Sequence, residues 1–130
     1  MIVYKWVHKN NNKYYSMYDL VNNITFRLGN PIFNVLEDYK IGKTYTLESY
    51  DKKPLQCSSG YHFAKEAKYN QYFQNLDIWF VCNTGFYINA CLACEIREED
   101  ILYIGENKIR AKSFKVLEEV DVYCYGKMQQ

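Results

Sequence analysis

The chain has 130 residues, of which 48% are apolar and 24% charged, enough for one domain around a single core and too little for two. Sixteen basic and fifteen acidic residues leave a formal net charge of +1, and their signs are interspersed, so no global field gathers nucleic acid or an anionic membrane. No apolar run approaches the roughly 18 residues needed to span a bilayer. The first residues lack the charged-then-apolar pattern of a signal peptide, so the expected location is the cytosol and no membrane partner is expected.

Taken in order, the chain opens on an alternating segment, Ile2 to Val7, with Val3, Lys5 and Val7 on one face and Ile2, Tyr4 and Trp6 on the other. Asn10 to Lys13 reads as the turn that closes it. Tyr14 to Asn23 fits neither the helical nor the strand period. Asn23 to Leu28 alternates as a strand that Gly29-Asn30-Pro31 ends, and Lys40 to Leu47 is β-rich with Gly42 at a bulge or turn. The central stretch begins at the turn signal Ser58-Ser59-Gly60 and passes into an aromatic strand, Tyr61 to Ala64. Ala64, Ala67, Lys68, Tyr72 and Phe73 then follow at helical spacing, which predicts a helix that starts between Ala64 and Glu66 and ends before Asp77. A return strand lies within Ile88 to Ile96 and leads into the acidic turn Glu98-Glu99-Asp100. Asp100 to Tyr103 is a strand or turn, Gly105 to Asn107 a hairpin break, Lys108 to Val120 an extended ribbon, and Asp121 to Tyr125 a tail strand. The expected fold is a small α+β domain with a mixed, largely antiparallel sheet.

Five cysteines in a cytosolic chain are expected to be reduced. The one C-x-x-C, Cys91 to Cys94, has no second pair at zinc spacing. It lies in a strand-like run, where positions three apart point to opposite faces. Core thiols and no metal site are the expectation.

The run Gly60-Tyr61-His62-Phe63-Ala64, the helix carrying Ala67 and Tyr72, and the strand Ala93-Cys94-Glu95-Ile96 resemble the core of the ADP-ribosyltransferase fold in its poly-ADP-ribose polymerase branch. The resemblance covers about a third of the chain. It implies an ADP-ribosyltransferase-like core in which NAD would be the substrate, with His62 and Tyr72 in the aromatic positions. The family's early-strand His is replaced by Lys5, and Lys108 or Arg110 stands where its catalytic Glu belongs. A cation there opposes an oxocarbenium-like state, so Glu95 is the carboxylate that could restore chemistry. The C-terminal two thirds is also similar to small proteins frequent in phages and prophages, through Gly42-Lys43-Thr44-Tyr45, Cys57 to Phe63, Glu95-Ile96 and Lys108 to Val116. The abundance of Tyr and Asn accords with the AT-rich coding common in such genomes.

The chemistry-bearing residues lead to one expectation for a site. Lys5, Tyr61, His62, Tyr72 and Arg110 should converge on a cleft whose cations and aromatic faces suit an anionic or nucleotide-like ligand. His62 and Glu95 are the catalytic candidates if bond cleavage occurs. The expected function is that of a non-catalytic binding protein without a cofactor, a phage or mobile-element accessory or anti-defence factor acting on a host protein or nucleotide-type ligand. The alternative is a small mono-ADP-ribosyltransferase that uses NAD.

Overall fold

Two asparagines make the first turn. In a computed structural model, which describes residues 1–33, 37–48, 60–68, 70–124 and 126, Asn11 and Asn12 adopt φ of 52° and 62°. A two-residue type I′ turn needs this pair of left-handed conformers, and Asn tolerates them. Strand β1 (Ile2–Asn10) therefore folds back antiparallel on β2 (Lys13–Ser16), with Asn10 opposite Lys13. Ser16 ends β2 and caps helix α1 (Met17–Asn23), its Oγ accepting from Asp19 N at 3.4 Å. The segment that fitted neither period is thus strand as far as Ser16 and helix from Met17. A second tight turn, Leu28 and Gly29 at φ of 52° and 80°, joins β3 (Ile24–Arg27) to β4 (Asn30–Phe33).

The remaining elements are β5 (Thr44–Thr46), β6 (Tyr61–Ala64), α2 (Gln71–Thr84), β7 (Ala90–Glu95), a single 3₁₀ turn (Glu98–Asp100), β8 (Ile101–Ile104), β9 (Lys108–Ala111) and β10 (Ser113–Glu119). Together they make a small α+β protein with a mostly antiparallel sheet and two helices among the described residues. No helix of the described residues is long and apolar enough to cross a membrane.

The described residues group into two compact units. The first comprises Met1–Lys5, Ile41–Ala67 and Cys91–Asp121 and holds most of the sheet whose strand order is β5-β10-β7-β1-β6-β9-β8. Its core includes Val3, Phe63, Leu92, Cys94, Ile109, Phe114 and Val116, which share one face of the central strands. The second comprises Trp6–Lys40, Lys68–Ala90 and Val122–Gln130. There Phe73, Asp77, Phe80 and Thr84 form the buried stripe of α2, Trp6 packs against Phe73 with ring centroids 4.4 Å apart, and Leu20 and Ile88 are fully buried.

Several expectations need correction. The helix expected from Ala64–Glu66 to before Asp77 instead runs Gln71–Thr84. Ala64 stays extended because it pairs with Tyr4 on one side and Lys108 on the other, and Lys65 N still donates to Asn107 O at 3.2 Å. Asn70 supplies the cap, its side chain accepting from Phe73 N at 2.9 Å. The helix continues past Asp77 because that residue lies on the buried stripe, and it stops at Gly85, φ 76°, whose N–H bonds Val81 O at 2.8 Å. The extended ribbon breaks at Lys112, whose backbone is taken by Asp100 O and Leu47 N. Asp121 to Cys124 forms no strand. Cys57, Ser58, Ser59 and Tyr125, invoked in the sequence reading, lie outside the described residues.

Candidate functional site

Strand β6 lies between β1 and β9, so the motif Tyr61 to Ala64 is flanked by the early and late strands. Its alternation divides the expected ligand set. Tyr61 and Phe63 point to one face with Lys5; His62 points to the other with its cross-strand partner Arg110.

On the first face Lys5 is only 8% exposed. Its Nζ donates to His62 O at 3.0 Å and lies 5.9, 5.0 and 5.8 Å from the ring centroids of Tyr61, Phe63 and Phe114. Phe114 organises this cage, stacking on Tyr45 at 5.4 Å and meeting Tyr61 and Phe63 edge-on at 4.7 and 5.1 Å. The ammonium thus already has an aromatic box and an acceptor from its own chain. Burial pushes the nearby Cys94 thiol up to about 12, although the Lys5 charge pulls the other way. It is no nucleophile at neutral pH.

On the opposite face Arg110 is 0% exposed. Its stem packs where a side chain on Gly60 would otherwise sit: a Cβ there would lie 2.9 Å from Arg110 Cγ. His62 is half-buried beside it, and Glu95 is exposed opposite Lys115. Met1 and Ile96 exchange both backbone bonds, at 3.1 and 3.0 Å, so Glu95 is level with Ile2, on the same face as Tyr4, Ala64 and His62. Counting along and across the sheet, Glu95 and His62 are separated by four residues and two strands, or roughly 16 Å. That is too far for both to act on one bond. Two sequestered cations and a remote carboxylate fit a dinucleotide such as NAD poorly. Tyr72, the last member of the expected set, belongs to the second unit, half-buried in the first turn of α2.

The second unit contains titratable groups that the sequence reading did not use. The His8 ring donates from Nδ1 to Tyr87 O at 2.9 Å and packs 4.8 Å from Phe86; burial lowers its pKa. Asp77 accepts from Ile88 N at 3.1 Å, and burial raises its pKa. Asn89 brackets Lys9, accepting from its N at 2.6 Å and donating to its O at 3.0 Å. All three bind the Tyr87–Asn89 backbone or hold it against β1, which is structural work. The only signal for them was a buried polar residue in an apolar run, and Asn89 within Ile88–Ile96 was such a signal.

No family model, curated protein or solved structure matches the chain.

Function must therefore be read from the fold and the side chains. Among the described residues no group of three or more His, Cys, Asp or Glu is placed to hold a metal ion. Cys91 and Cys94 lie buried three positions apart on β7. What the second unit does offer is large apolar side chains in solvent: Tyr18 on α1, Phe26, Leu28 and Ile32 on the β3–β4 hairpin, and Ile78 and Trp79 on α2. The sequence reading missed these because a lone Phe or Leu in an alternating strand looks like core.

Proposed function

We propose that this chain is a non-catalytic binding protein whose partner is another protein, in the manner of a phage or mobile-element accessory or anti-defence factor working on a host protein in the bacterial cytosol. The observation that carries this reading is that the groups needed for ligand chemistry are withdrawn into the fold. Lys5 is boxed by three rings and bonded to His62 O, Arg110 has no exposed surface, and Glu95 is far from His62. The exposed apolar side chains of the second unit support a protein partner over a nucleotide, since large apolar groups in solvent mark interaction surfaces.

A second reading, a mono-ADP-ribosyltransferase with an ADP-ribosyltransferase-like core, is favoured by one observation: β6 is flanked by β1 and β9, as the early and late strands flank the motif strand in the fold that the sequence resembles. It would need Glu95 as its carboxylate.

The two are separated by incubating the chain with NAD and bacterial lysate. A binder releases no nicotinamide, labels nothing with ADP-ribose, and retains a protein saturably on a column of the immobilised chain. Nicotinamide release that disappears in Glu95→Gln would overturn the binding reading. Retention of a nucleotide without protein, lost in His62→Ala, would move the site to the sheet face that carries His62.

A further inference from the structure

At the β3–β4 hairpin the sequence works against the local conformation. Leu28 stands at φ 52°, a backbone region that glycine enters freely and a branched side chain enters only at a cost. The first hairpin meets the same demand with Asn11 and Asn12, residues suited to it, yet here a leucine is used. Its side chain is 95% exposed, so no packing within the fold offsets the strain. Strain that the fold does not use points to a use outside it.

The surroundings narrow that use. Phe26 and Ile32 are 57% and 37% exposed, and Arg27 is the only charge between Ile24 and Phe33. Pro31 sits opposite Phe26, one step beyond the closing pair Arg27–Asn30. In a two-residue hairpin that step is not hydrogen-bonded across the pair, so the donor missing at Pro31 is missing from the outer edge of β4. An incoming strand would find a gap there, which disfavours strand addition. The side chains are the available contact. Phe26 pairs with Pro31 and Ile32 with Thr25, so Phe26 and Ile32 lie on opposite faces of the hairpin. At about 200 Å² for a fully exposed large side chain, Phe26 and Leu28 present about 300 Å². Two copies meeting through them would bury about 600 Å², below the roughly 1,000 Å² that a stable pair needs. Two anchors on a narrow tip suit insertion into a concavity instead.

We infer that the tip of this hairpin is a docking element: Leu28 and Phe26 enter an apolar pocket on a folded partner protein, and Arg27 meets a carboxylate on the pocket rim. This rests on the binding reading above. It is tested with Leu28→Gly, Phe26→Ser, Arg27→Lys and Arg27→Glu, and with a photo-crosslinking p-benzoylphenylalanine in place of Ile32 in the chain expressed in bacteria. Leu28→Gly relieves the turn, so its melting temperature should rise by about 2 °C, while yield of the cross-linked protein falls roughly tenfold or more. Phe26→Ser and Arg27→Glu should reduce that yield, and Arg27→Lys should keep most of it. A melting temperature that drops by several degrees in Leu28→Gly would mean that Leu28 serves the fold, and would overturn the inference. A cross-link to one protein that Leu28→Gly leaves unchanged would overturn it while the binding reading stands, and a cross-link only to a second copy of the chain would overturn it in favour of self-association. If neither the cross-linking chain nor the immobilised wild type retains any protein, the binding reading fails and the docking element fails with it.

Discussion

Asn89 stands in for strand pairing beside β1, and replacing it by aspartate tests that role without changing its shape. The side chain is 8% exposed and makes two bonds to one residue, accepting from Lys9 N at 2.6 Å and donating to Lys9 O at 3.0 Å. In Asn89→Asp the acceptor remains, but an ionised oxygen now faces the Lys9 carbonyl. The loss is one hydrogen bond, about 1 kcal/mol, plus the cost of opposing two buried acceptors, for a deficit of about 2–3 kcal/mol at pH 7. Once protonated, the new carboxyl would donate to Lys9 O again and recover both bonds. The folded variant therefore prefers the protonated form, and its carboxyl titrates above the unfolded value of about 3.9. The sign follows from linkage: the added stability is complete below the unfolded pKa and is lost as pH rises through the folded one. Asn89→Ala loses both bonds at every pH, at about 2–4 kcal/mol. Urea denaturation of wild type and both variants between pH 3.5 and 7, read as differences from wild type, measures this. An Asn89→Asp deficit that stays constant with pH, or an Asn89→Ala variant as stable as wild type, would refute the role assigned to the bracket.

The two titratable groups nearby should give pH dependences of opposite sign. Burial depresses the His8 pKa, so its contribution is intact above about 6.5 and lost as pH falls below it; His8→Gln should flatten the decline between pH 7 and 5 in thermal melts. Burial raises the Asp77 pKa, so its contribution is present at low pH and lost as pH rises through the folded value. Asp77→Asn keeps an acceptor for Ile88 N and should gain on wild type from pH 4 to 7, whereas Asp77→Val strands that N–H and should cost about 1–3 kcal/mol. Gly60→Ala should cost about 2–4 kcal/mol, because φ is 135° and the new Cβ meets Arg110 Cγ at 2.9 Å. Gly85→Ala, at φ 76° with open space around it, should cost only about 1 kcal/mol. Equal losses for the two in guanidinium titrations would argue against the close approach of Arg110 to Gly60.

The sequence was readable where a single local rule governs. Tyr61–Ala64 alternates and pairs as a strand, Ile88–Ile96 contains β7, and the asparagine cluster makes a turn. It misled where the deciding partner is remote. The small residues after Phe63 looked helical, but Asn107 and Lys108, more than forty residues on, hold Ala64 and Lys65 extended. Asp77 and Thr84 disguised the buried stripe of α2, since their polarity is tolerated only because each has an acceptor or donor role, Asp77 toward Ile88 N and Thr84 toward Phe80 O. For the site, residue type was legible and direction was not. Lys5, Tyr61, His62 and Arg110 do lie on three adjacent strands, but a one-residue step sends Tyr61 and His62 to opposite faces, and burial decides which cations a ligand can reach. The strain at Leu28 could not be foreseen, because a leucine before glycine is an ordinary dipeptide until its φ is known.

Strand β1 precedes every other described strand in sequence, yet it lies in the middle of the sheet, between β7 and β6. At roughly 5–20 residues per second on the ribosome, about 5–20 s separate the emergence of Val3 from that of the β7 segment that pairs with it. The β1–β2 hairpin can close in microseconds, but the other half of β1 has no partner until β6 emerges about sixty residues on, and its β7 side stays open to the end of that interval. A nascent chain in this state exposes an unpaired apolar strand, so its yield in cells should depend on elongation rate and on holdase chaperones more than its finished stability would suggest.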